Sequence, residues 1–190
     1  GFDQQFGNAS PAVIEDVKQK FKLDKPYFLY VGQIRQHKNI QRMIRAFLKT
    51  GTDWELILVG QNYLNLDFSI YPSNVRYLSI VSEEELKGLY FHSKAFVFPS
   101  FLEGFGFPIL ESLSYGKPVI GTNYGAIAEI GNQFLIGVDP QDENDITEKM
   151  SDFTKHPQDL QQETCNNYIS QFSWEKCARE VLAIYEELNR

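Results

Sequence analysis

The sequence predicts an α/β protein built on a doubly wound parallel sheet of about six strands, with helices on both faces. Short apolar runs without a polar face alternate with amphipathic segments at helical spacing. The connections are short, and several apolar runs end at a glycine or a proline. Continuous apolar runs are typical of strands that are buried on both sides. We therefore expect a Rossmann-like architecture.

Six apolar runs are predicted to be strands: Tyr27–Val31, Glu55–Val59, Val75–Leu78, Ala95–Phe98, Pro118–Ile120 and Phe134–Val138. Gly32, Gly60, Pro99 and Gly121 follow four of these runs directly. Because crossovers between parallel strands are right-handed, the loops that follow strands share one edge of the sheet. Ligands bind at that carboxyl edge, so we expect the functional residues just after these four positions.

Helical signals fill the intervals between the strands. Ser10 is a predicted N-cap with Pro11 at the first helical position. Ser82 and Glu85 have the spacing of a capping box. The first predicted helix begins at Ser10–Pro11, the second spans Asn39–Lys49, the third starts at Ser82 and the fourth runs from Phe107 to Ser114. Two or three more helices are predicted to cover 141–189.

Composition narrows the class of protein. A chain of 190 residues suits one α/β domain, and its formal charge of -7 argues against a general nucleic-acid or anionic-membrane surface. No apolar run reaches the ~18 residues of a membrane span, and no signal peptide is visible. The expected location is cytoplasmic, with the inner face of the membrane left open for a full-length protein. Cys165 and Cys177 are expected to be reduced thiols.

The first candidate segment is the loop from Gly32 to Asn39. Gly32 permits a sharp turn, and Lys38 precedes a predicted helix whose free N–H groups favour an anion. Arg35 adds a forked donor that matches phosphate oxygens. The loop therefore suits a diphosphate, although a basic, solvated helix start is the alternative. It matches neither a dinucleotide-binding glycine motif nor a Walker loop.

The second candidate segment, Pro99–Glu111, runs from a strand end into a helix. Gly104 and Gly106 leave backbone N–H groups open to a ligand. Glu111 lies about one turn into the helix, where the dipole is expected to favour its charged form. Since carboxylates repel phosphate, the plausible targets of Glu103 and Glu111 are hydroxyls, such as a neighbouring pair on a ribose. A simple helix cap is the alternative for Glu111 alone.

With these motifs the chain resembles the C-terminal, donor-binding domain of GT-B-fold retaining glycosyltransferases of family 4, the glycosyl transferases group 1. The resemblance covers nearly the whole chain, and the two glutamates in their Gly-Phe-Gly context are its most specific part. The matching segments are Tyr30–Gly32, Lys38–Ile40, Leu58–Gly60, Val81–Leu86 with Leu89 and Tyr90, Phe98–Ser100, Glu103–Glu111, Gly116–Ile120 and Phe172–Trp174.

The resemblance implies roles for charged residues. Lys38, with Arg35 as helper, holds the diphosphate. Glu111 holds the ribose hydroxyls, and Glu103 faces the transferred sugar or stabilises the reacting centre. The implied catalytic residues are Glu103, Lys38 and Arg35. Many relatives carry arginine where this chain has Gln33, so Arg35 is a candidate to replace it.

The resemblance also implies a donor-binding surface. Backbone N–H groups of the Gly104–Gly106 segment contact the sugar or the diphosphate, and the stretch at Ile80 and Val81 lines the base. The full set of expected donor-binding residues is Gly32, Gln33, Arg35, Lys38, Ile80, Val81, Gly104, Phe105, Gly106 and Glu111.

The implied reaction moves a hexose of mannose or glucose type from a UDP- or GDP-sugar to an acceptor hydroxyl, with retention of configuration, in polysaccharide or glycan assembly. No cofactor or metal is expected, since the chain has no Asp-x-Asp string and its three histidines match no metal spacing. The alternatives are another GT-B enzyme, such as a nucleotide-sugar epimerase or a sugar phosphorylase, and a non-catalytic nucleotide-sugar-binding module.

The resemblance implies that half of the enzyme is missing here. Residues 1–10 are expected to be an interdomain linker, 11–172 the donor domain, and 173–190 a helix that packs toward an N-terminal domain. That domain binds the acceptor, a glycan or a lipid-linked sugar, with peripheral membrane association as an option. Trp174 and Tyr185 are expected to be exposed, and the 190-residue chain alone to have weak or no transferase activity.

Overall fold

The computed structural model describes residues 1–188 and contains one six-stranded sheet in the order β3-β2-β1-β4-β5-β6. Every pair of neighbouring strands is parallel. The chain winds outward from β1 in one direction and from β4 in the other, which places a topological switch point between these two strands. The strands are β1 Tyr27–Val31, β2 Glu55–Val59, β3 Val75–Leu78, β4 Ala95–Phe98, β5 Val119–Thr122 and β6 Leu135–Val138.

Helices flank both faces of the sheet, as the alternating pattern predicts. Helix α1 packs against α3, and α2 packs against α6. The helices are α1 Pro11–Phe21, α2 Ile40–Lys49, α3 Glu83–His92, α4 Phe107–Leu113, α5 Gly125–Gly131, α6 Glu143–Lys155, α7 Gln162–Ile169 and α8 Trp174–Leu188.

Two helix starts follow from their capping residues. The Val13 N–H donates to Ser10 Oγ at 3.3 Å in α1. At α3 the Glu85 N–H donates to Ser82 Oγ at 3.2 Å, and the Ser82 N–H donates to Glu85 Oε2 at 2.7 Å. Both predicted caps are confirmed, and the second satisfies two helix-end donors reciprocally.

The core lies on both sides of the central strands. All four residues of β4 and of β5 are buried, as are the first four of β1. Aromatic rings fill much of the space, with Phe28 in contact with Phe47, Trp54 and Phe153 at centroid distances of 5.1 to 6.3 Å. This burial explains why the strand sequences have no polar face.

Three predicted boundaries are wrong by one or a few residues. β5 continues through Thr122, because Gly121 pairs with Phe98 on one side and with Gly137 on the other. Phe134 lies in a 3-10 turn before β6. Asn39 is left-handed, with φ of 60°, so α2 begins only at Ile40.

The two ends of the described chain behave differently. Phe2 and Phe6 are buried in the core, and the Tyr115 hydroxyl donates to the Phe6 carbonyl at 2.7 Å. In contrast, α8 has no buried residue between Trp174 and Leu188. Trp174 is 63% and Tyr185 61% exposed, which confirms that expectation.

Two smaller expectations concern thiols and membrane spans. Cys165 and Cys177 are both free, and burial raises the pKa of the Cys165 thiol to about 11. Among residues 1–188, none of the helices is both long enough and apolar enough to span a bilayer.

Candidate functional site

The loops after β1 and β2 meet at the carboxyl edge of the sheet, where the sequence predicts the site. Gly32 and Gly60 both have positive φ, 153° and 138°. A Cβ added to Gly60 would lie 2.0 Å from the Gly32 carbonyl oxygen. Only glycine permits so close an approach of the two loop backbones.

Lys38 and Glu103 form the ion pair at the centre of this edge. Lys38 Nζ lies 2.6 Å from Glu103 Oε1 and 2.7 Å from Oε2, so one ammonium group contacts both carboxylate oxygens. Their side chains are only 14% and 11% exposed. The two loops are joined nearby, because the Phe101 N–H donates to the His37 carbonyl at 2.8 Å. The fold thus brings together two predicted site residues that are 65 positions apart.

Glu111, in the fifth position of α4, is held by a buried tyrosine. The Tyr90 hydroxyl donates to Glu111 Oε2 at 2.8 Å. Burial raises the pKa of Glu111, the Tyr90 hydrogen bond opposes this, and the charge of Glu83 adds to it. The expectation that the helix dipole stabilises the charged form is therefore wrong in direction, because desolvation of the carboxylate outweighs it.

Tyr30 lies on β1, and its hydroxyl donates to the Gln33 carbonyl at 3.1 Å. Burial raises its pKa, and so does the nearby charge of Glu103. Burial also raises the pKa of Tyr90, and the charge of Glu111 and then Tyr30 add to this. Tyr30 and Tyr90 are thus two buried phenols whose pKa values respond to the charges of Glu103 and Glu111.

Arg35 faces a different part of the surface. Its Nε donates to Gln33 Oε1 at 2.6 Å, and its guanidinium lies 4.1 Å from the centroid of the Tyr63 ring. Arg35 also lines a cleft of about 220 Å³ with Arg42 and other residues, a cleft whose lining does not include Lys38. The side chains of Arg35 and Lys38 thus contact different partners, Gln33 and Tyr63 for Arg35 and Glu103 for Lys38.

The glycine-containing loop leads into α4. Gly106 has φ of 107° at the start of the helix, and the position of Gly104 is open, with no atom within 4 Å of an added Cβ. Phe105 is half-buried and contacts Phe107 and Phe172 at centroid distances of 4.8 and 6.0 Å. Its packing fixes the loop next to the ion pair.

The predicted base-lining stretch lies beyond β3, at one end of the sheet. Ile80 is 81% exposed, and Val81 is half-buried before the cap of α3. The exposure of so large an apolar side chain is compatible with a ligand surface.

Three residues at this edge were missed by sequence reasoning. Tyr90 enters the sequence analysis only as part of a segment that resembles the family, and nothing in its spacing signals a bond to Glu111. Asn39 is buried and its side-chain amide donates to the carbonyls of Pro99 and Pro140 at 3.1 and 2.8 Å, which ties three loops together. Ser100 Oγ is a buried side-chain polar atom without a hydrogen-bond partner within residues 1–188.

A larger cavity lies elsewhere. It measures about 420 Å³ and is lined by the N-terminal segment, Ile14, Ser114 and Tyr115. Ser114 and Tyr115 follow the C-terminus of α4, so this cavity lies toward the amino edge of the sheet. We favour the carboxyl edge as the site because it gathers the charged and glycine residues, whereas the larger cavity has no charged lining residue.

The chain was compared with known protein families and structures. The family model described as glycosyl transferases group 1 matches residues 13–171. O-antigen chain mannosyltransferase B of Escherichia coli is 31% identical, covering 94% of this chain and 51% of that protein. D-rhamnosyltransferase WbpZ of Pseudomonas aeruginosa is 30% identical, covering 85% and 44%. The chain thus spans about half the length of these curated relatives.

Solved structures show the same fold. A glycosyltransferase from Rickettsia africae superposes with a TM-score of 0.82 at 20% identity, over 100% of this chain and 56% of that one. HepE from Anabaena, in complex with UDP, superposes with a TM-score of 0.73 at 18% identity, over 100% and 56%.

Proposed function

Because the chain belongs to the family of glycosyl transferases group 1, we propose that it is the donor-binding half of a retaining hexosyltransferase. In this proposal it binds a UDP- or GDP-sugar at the carboxyl edge of the sheet. The hexose, of mannose or glucose type, passes to an acceptor hydroxyl during polysaccharide or glycan assembly. The observation that carries the proposal is the Lys38–Glu103 pair, with Lys38 Nζ 2.6 Å from a carboxylate within the glycine-containing loop.

The proposed chemistry follows from the charges of the site. Loss of the diphosphate leaves oxocarbenium character on the sugar and negative charge on the departing oxygens. Lys38, fixed before the reaction starts, is suited to stabilise those oxygens. Glu103 lies beside Lys38 and is suited to face the sugar, while Glu111 accepts hydrogen bonds from ribose hydroxyls.

Other parts of the site have supporting roles in the proposal. Arg35 serves the outer side of the diphosphate only if it leaves Tyr63, because its present contacts are with Gln33 and Tyr63. Gly32, Gln33 and the Gly104–Gly106 backbone line the donor. Ile80 and Val81 contact the base. No resident cofactor or metal is required, since the positive charge comes from side chains.

Two observations support a nucleotide-sugar donor over the alternatives. The two curated relatives described above are named as a mannosyltransferase and a rhamnosyltransferase, which favours transfer over epimerisation, phosphorolysis or a purely binding role. The structural neighbour HepE is in complex with UDP. A glycan or lipid-linked acceptor, bound by a further N-terminal domain, and a cytoplasmic location at or near the inner membrane face complete the proposal.

Calorimetric titration of the 190-residue chain with UDP, GDP and their sugar conjugates tests the proposal. We expect one nucleotide series to bind, and Lys38→Ala to weaken its binding at least about tenfold, because a charge-assisted contact to phosphate is lost.

The matched control is Lys20→Ala, which removes another paired lysine, the partner of Glu85 on the surface. It is expected to leave the affinity unchanged. Equal affinity of the parent chain and Lys38→Ala would contradict the proposed role of the pair.

A further inference from the structure

Within residues 1–188, the side chain that hydrogen-bonds to the Glu111 carboxylate is Tyr90. The Tyr90 hydroxyl donates to Glu111 Oε2 at 2.8 Å, and the Pro108 carbonyl oxygen lies farther away, at 3.4 Å. We propose that Tyr90 is a positioning residue for nucleotide binding, which aims the Glu111 carboxylate at the ribose of the donor. The inference rests on the proposed function and extends it to a residue that need not touch the ligand.

Tyr90 is rigid enough for this role. Its side chain is fully buried, and three rings enclose it: Phe6 and Phe96 at centroid distances of 5.9 Å and Tyr115 at 6.3 Å. The Tyr90 and Tyr115 rings are within 3° of parallel. A phenol has one O–H to donate, and here that hydrogen is given to Glu111.

The hydrogen bond has a directional consequence. It fixes Oε2 of Glu111 toward α3, so Oε1 is the oxygen that remains for a ribose hydroxyl. Since α4 is short and begins at the glycine-containing loop, the hydrogen bond between Glu111 and Tyr90 also holds that loop in a fixed position relative to α3. Without the phenol hydrogen, the Glu111 carboxylate loses the hydrogen bond that holds its orientation, and part of the binding free energy is spent on ordering it.

The hydrogen bond also acts on the charge of Glu111. Burial raises the pKa of this carboxyl, Tyr90 lowers it, and Glu83 raises it. Glu83 is itself paired with Lys87 at 2.7 Å, and Tyr30 is the further titratable group that acts on Tyr90. Removing the Tyr90 hydroxyl removes the one lowering influence, so the pKa of Glu111 rises further.

The substitution Tyr90→Phe tests the proposal, with Tyr27→Phe as its matched control. Tyr27 is equally buried, and its hydroxyl donates to the Leu89 carbonyl on the same helix at 2.6 Å. Both substitutions delete one buried phenol oxygen and keep the ring, so both are expected to lower Tm. Only Tyr90→Phe changes the surroundings of Glu111.

Two readouts separate positioning from simple stabilisation. The first is a ¹³C NMR titration of the Glu111 carboxyl in the ligand-free chain, assigned with Glu111→Gln. The second is the affinity for UDP and GDP between about pH 5.5 and 8, a range above the ordinary glutamate pKa in which a raised carboxyl pKa is detected. The affinity is expressed as the ratio to the parent chain so that titration of the nucleotide cancels.

We expect Tyr90→Phe to raise the Glu111 pKa and to weaken nucleotide binding about five- to tenfold near neutral pH, with the deficit growing as the pH falls. Tyr27→Phe is expected to change neither. If Tyr90→Phe leaves the Glu111 pKa unchanged, or if both variants lose affinity equally at every pH, the positioning role is overturned while the proposed function stands. If the parent chain binds no nucleotide, the proposed function fails, and the role of Tyr90 in binding fails with it.

Discussion

Glu103 competes with a bound diphosphate for the Lys38 ammonium group. Each Glu103 oxygen lies within 2.7 Å of Lys38 Nζ, so a diphosphate that binds Lys38 must displace or share this carboxylate. The pair is largely buried, and breaking it leaves a desolvated carboxylate beside the phosphate. The negative charge of Glu103, which is proposed to face the sugar, therefore weakens binding of a nucleotide that carries no sugar.

This competition predicts that Glu103→Gln tightens binding of UDP or GDP about three- to tenfold, because Lys38 is released from its partner. In a protein that joins this chain to the proposed acceptor-binding domain, the same change is expected to lower turnover. Calorimetry of the chain measures the first effect. The control is Glu55→Gln, which breaks another largely buried pair, with Arg76, at the amino end of β2. Unchanged or weaker binding by Glu103→Gln would contradict the idea that Glu103 and the diphosphate compete for the Lys38 ammonium group.

Glu111 is expected to lower the stability of the fold while it serves binding. Burial raises its pKa in the folded chain above the ordinary value of 4.5. Between the unfolded and the folded pKa, the native state therefore binds more protons than the unfolded chain. Stability attributable to this group is present at low pH and is lost as the pH rises through its folded pKa.

Glu111→Gln is therefore expected to raise Tm by a few degrees at pH 7, since the neutral amide removes the buried charge and still accepts the Tyr90 hydrogen bond. The same substitution is expected to weaken nucleotide binding, because the carboxylate proposed to hold the ribose is lost. The gain in Tm should shrink below about pH 4.5, where Glu111 is protonated in both states. Thermal unfolding followed at several pH values measures this. A lower Tm at pH 7, or a gain independent of pH, would show that the buried charge is not the cause.

At the residue scale, the sequence identifies the charged residues of the site better than it identifies the hydrogen bonds that hold them. Residue type and a glycine-flanked spacing were enough to single out Lys38, Glu103 and Glu111. The bond between Tyr90 and Glu111 was not predictable, because it joins two helices separated by β4 and its tyrosine resembles an ordinary core residue. The sign of the Glu111 pKa shift was missed for the same reason: burial depends on the packed neighbours.

At the scale of elements, α8 contributes little to the described domain. It carries no buried residue, and Val181, Leu182, Ile184 and Leu188 are exposed by 47 to 76%. An apolar surface of this kind on a helix is compatible with a role in packing against another domain.

Removal of 174–190 is accordingly expected to change Tm by less than about 3 °C, because few buried contacts are lost. The comparison is Ile169→Ala in the neighbouring α7, where a side chain only 3% exposed is truncated. That variant is expected to lose at least about 5 °C. A large loss of Tm on removing α8 would show that the helix is part of the domain core. Differential scanning calorimetry of both variants measures these shifts.

Elements were predicted well where local signals are strong. The caps at Ser10 and Ser82 fixed two helix starts, and apolar runs located all six strands. The end of β5 was misjudged because Gly121 reads as a stop, whereas pairing with strands on both sides carries the backbone to Thr122. Tertiary pairing of this kind leaves no mark on the local sequence.

At the scale of the whole molecule, the strand order explains where the chemistry lies. β1 and β4 are neighbours in the sheet although two strands separate them in sequence, and their following loops carry Lys38 and Glu103. The alternating pattern and right-handed crossovers predict this class of sheet and its functional edge. They do not predict that Arg35 turns to Tyr63, which depends on the individual packing of a surface loop.

The central claim is that a nucleoside diphosphate binds at the carboxyl edge, between the loop of Lys38 and the loop of Glu103. The most direct measurement is mapping of ¹H–¹⁵N chemical shifts of the 190-residue chain on titration with UDP and GDP. The account predicts that changes concentrate in residues 32–39 and 104–111. Changes concentrated instead around Ile14, Ser114 and Tyr115 in the 420 Å³ cavity, or no change with either nucleotide, would contradict it.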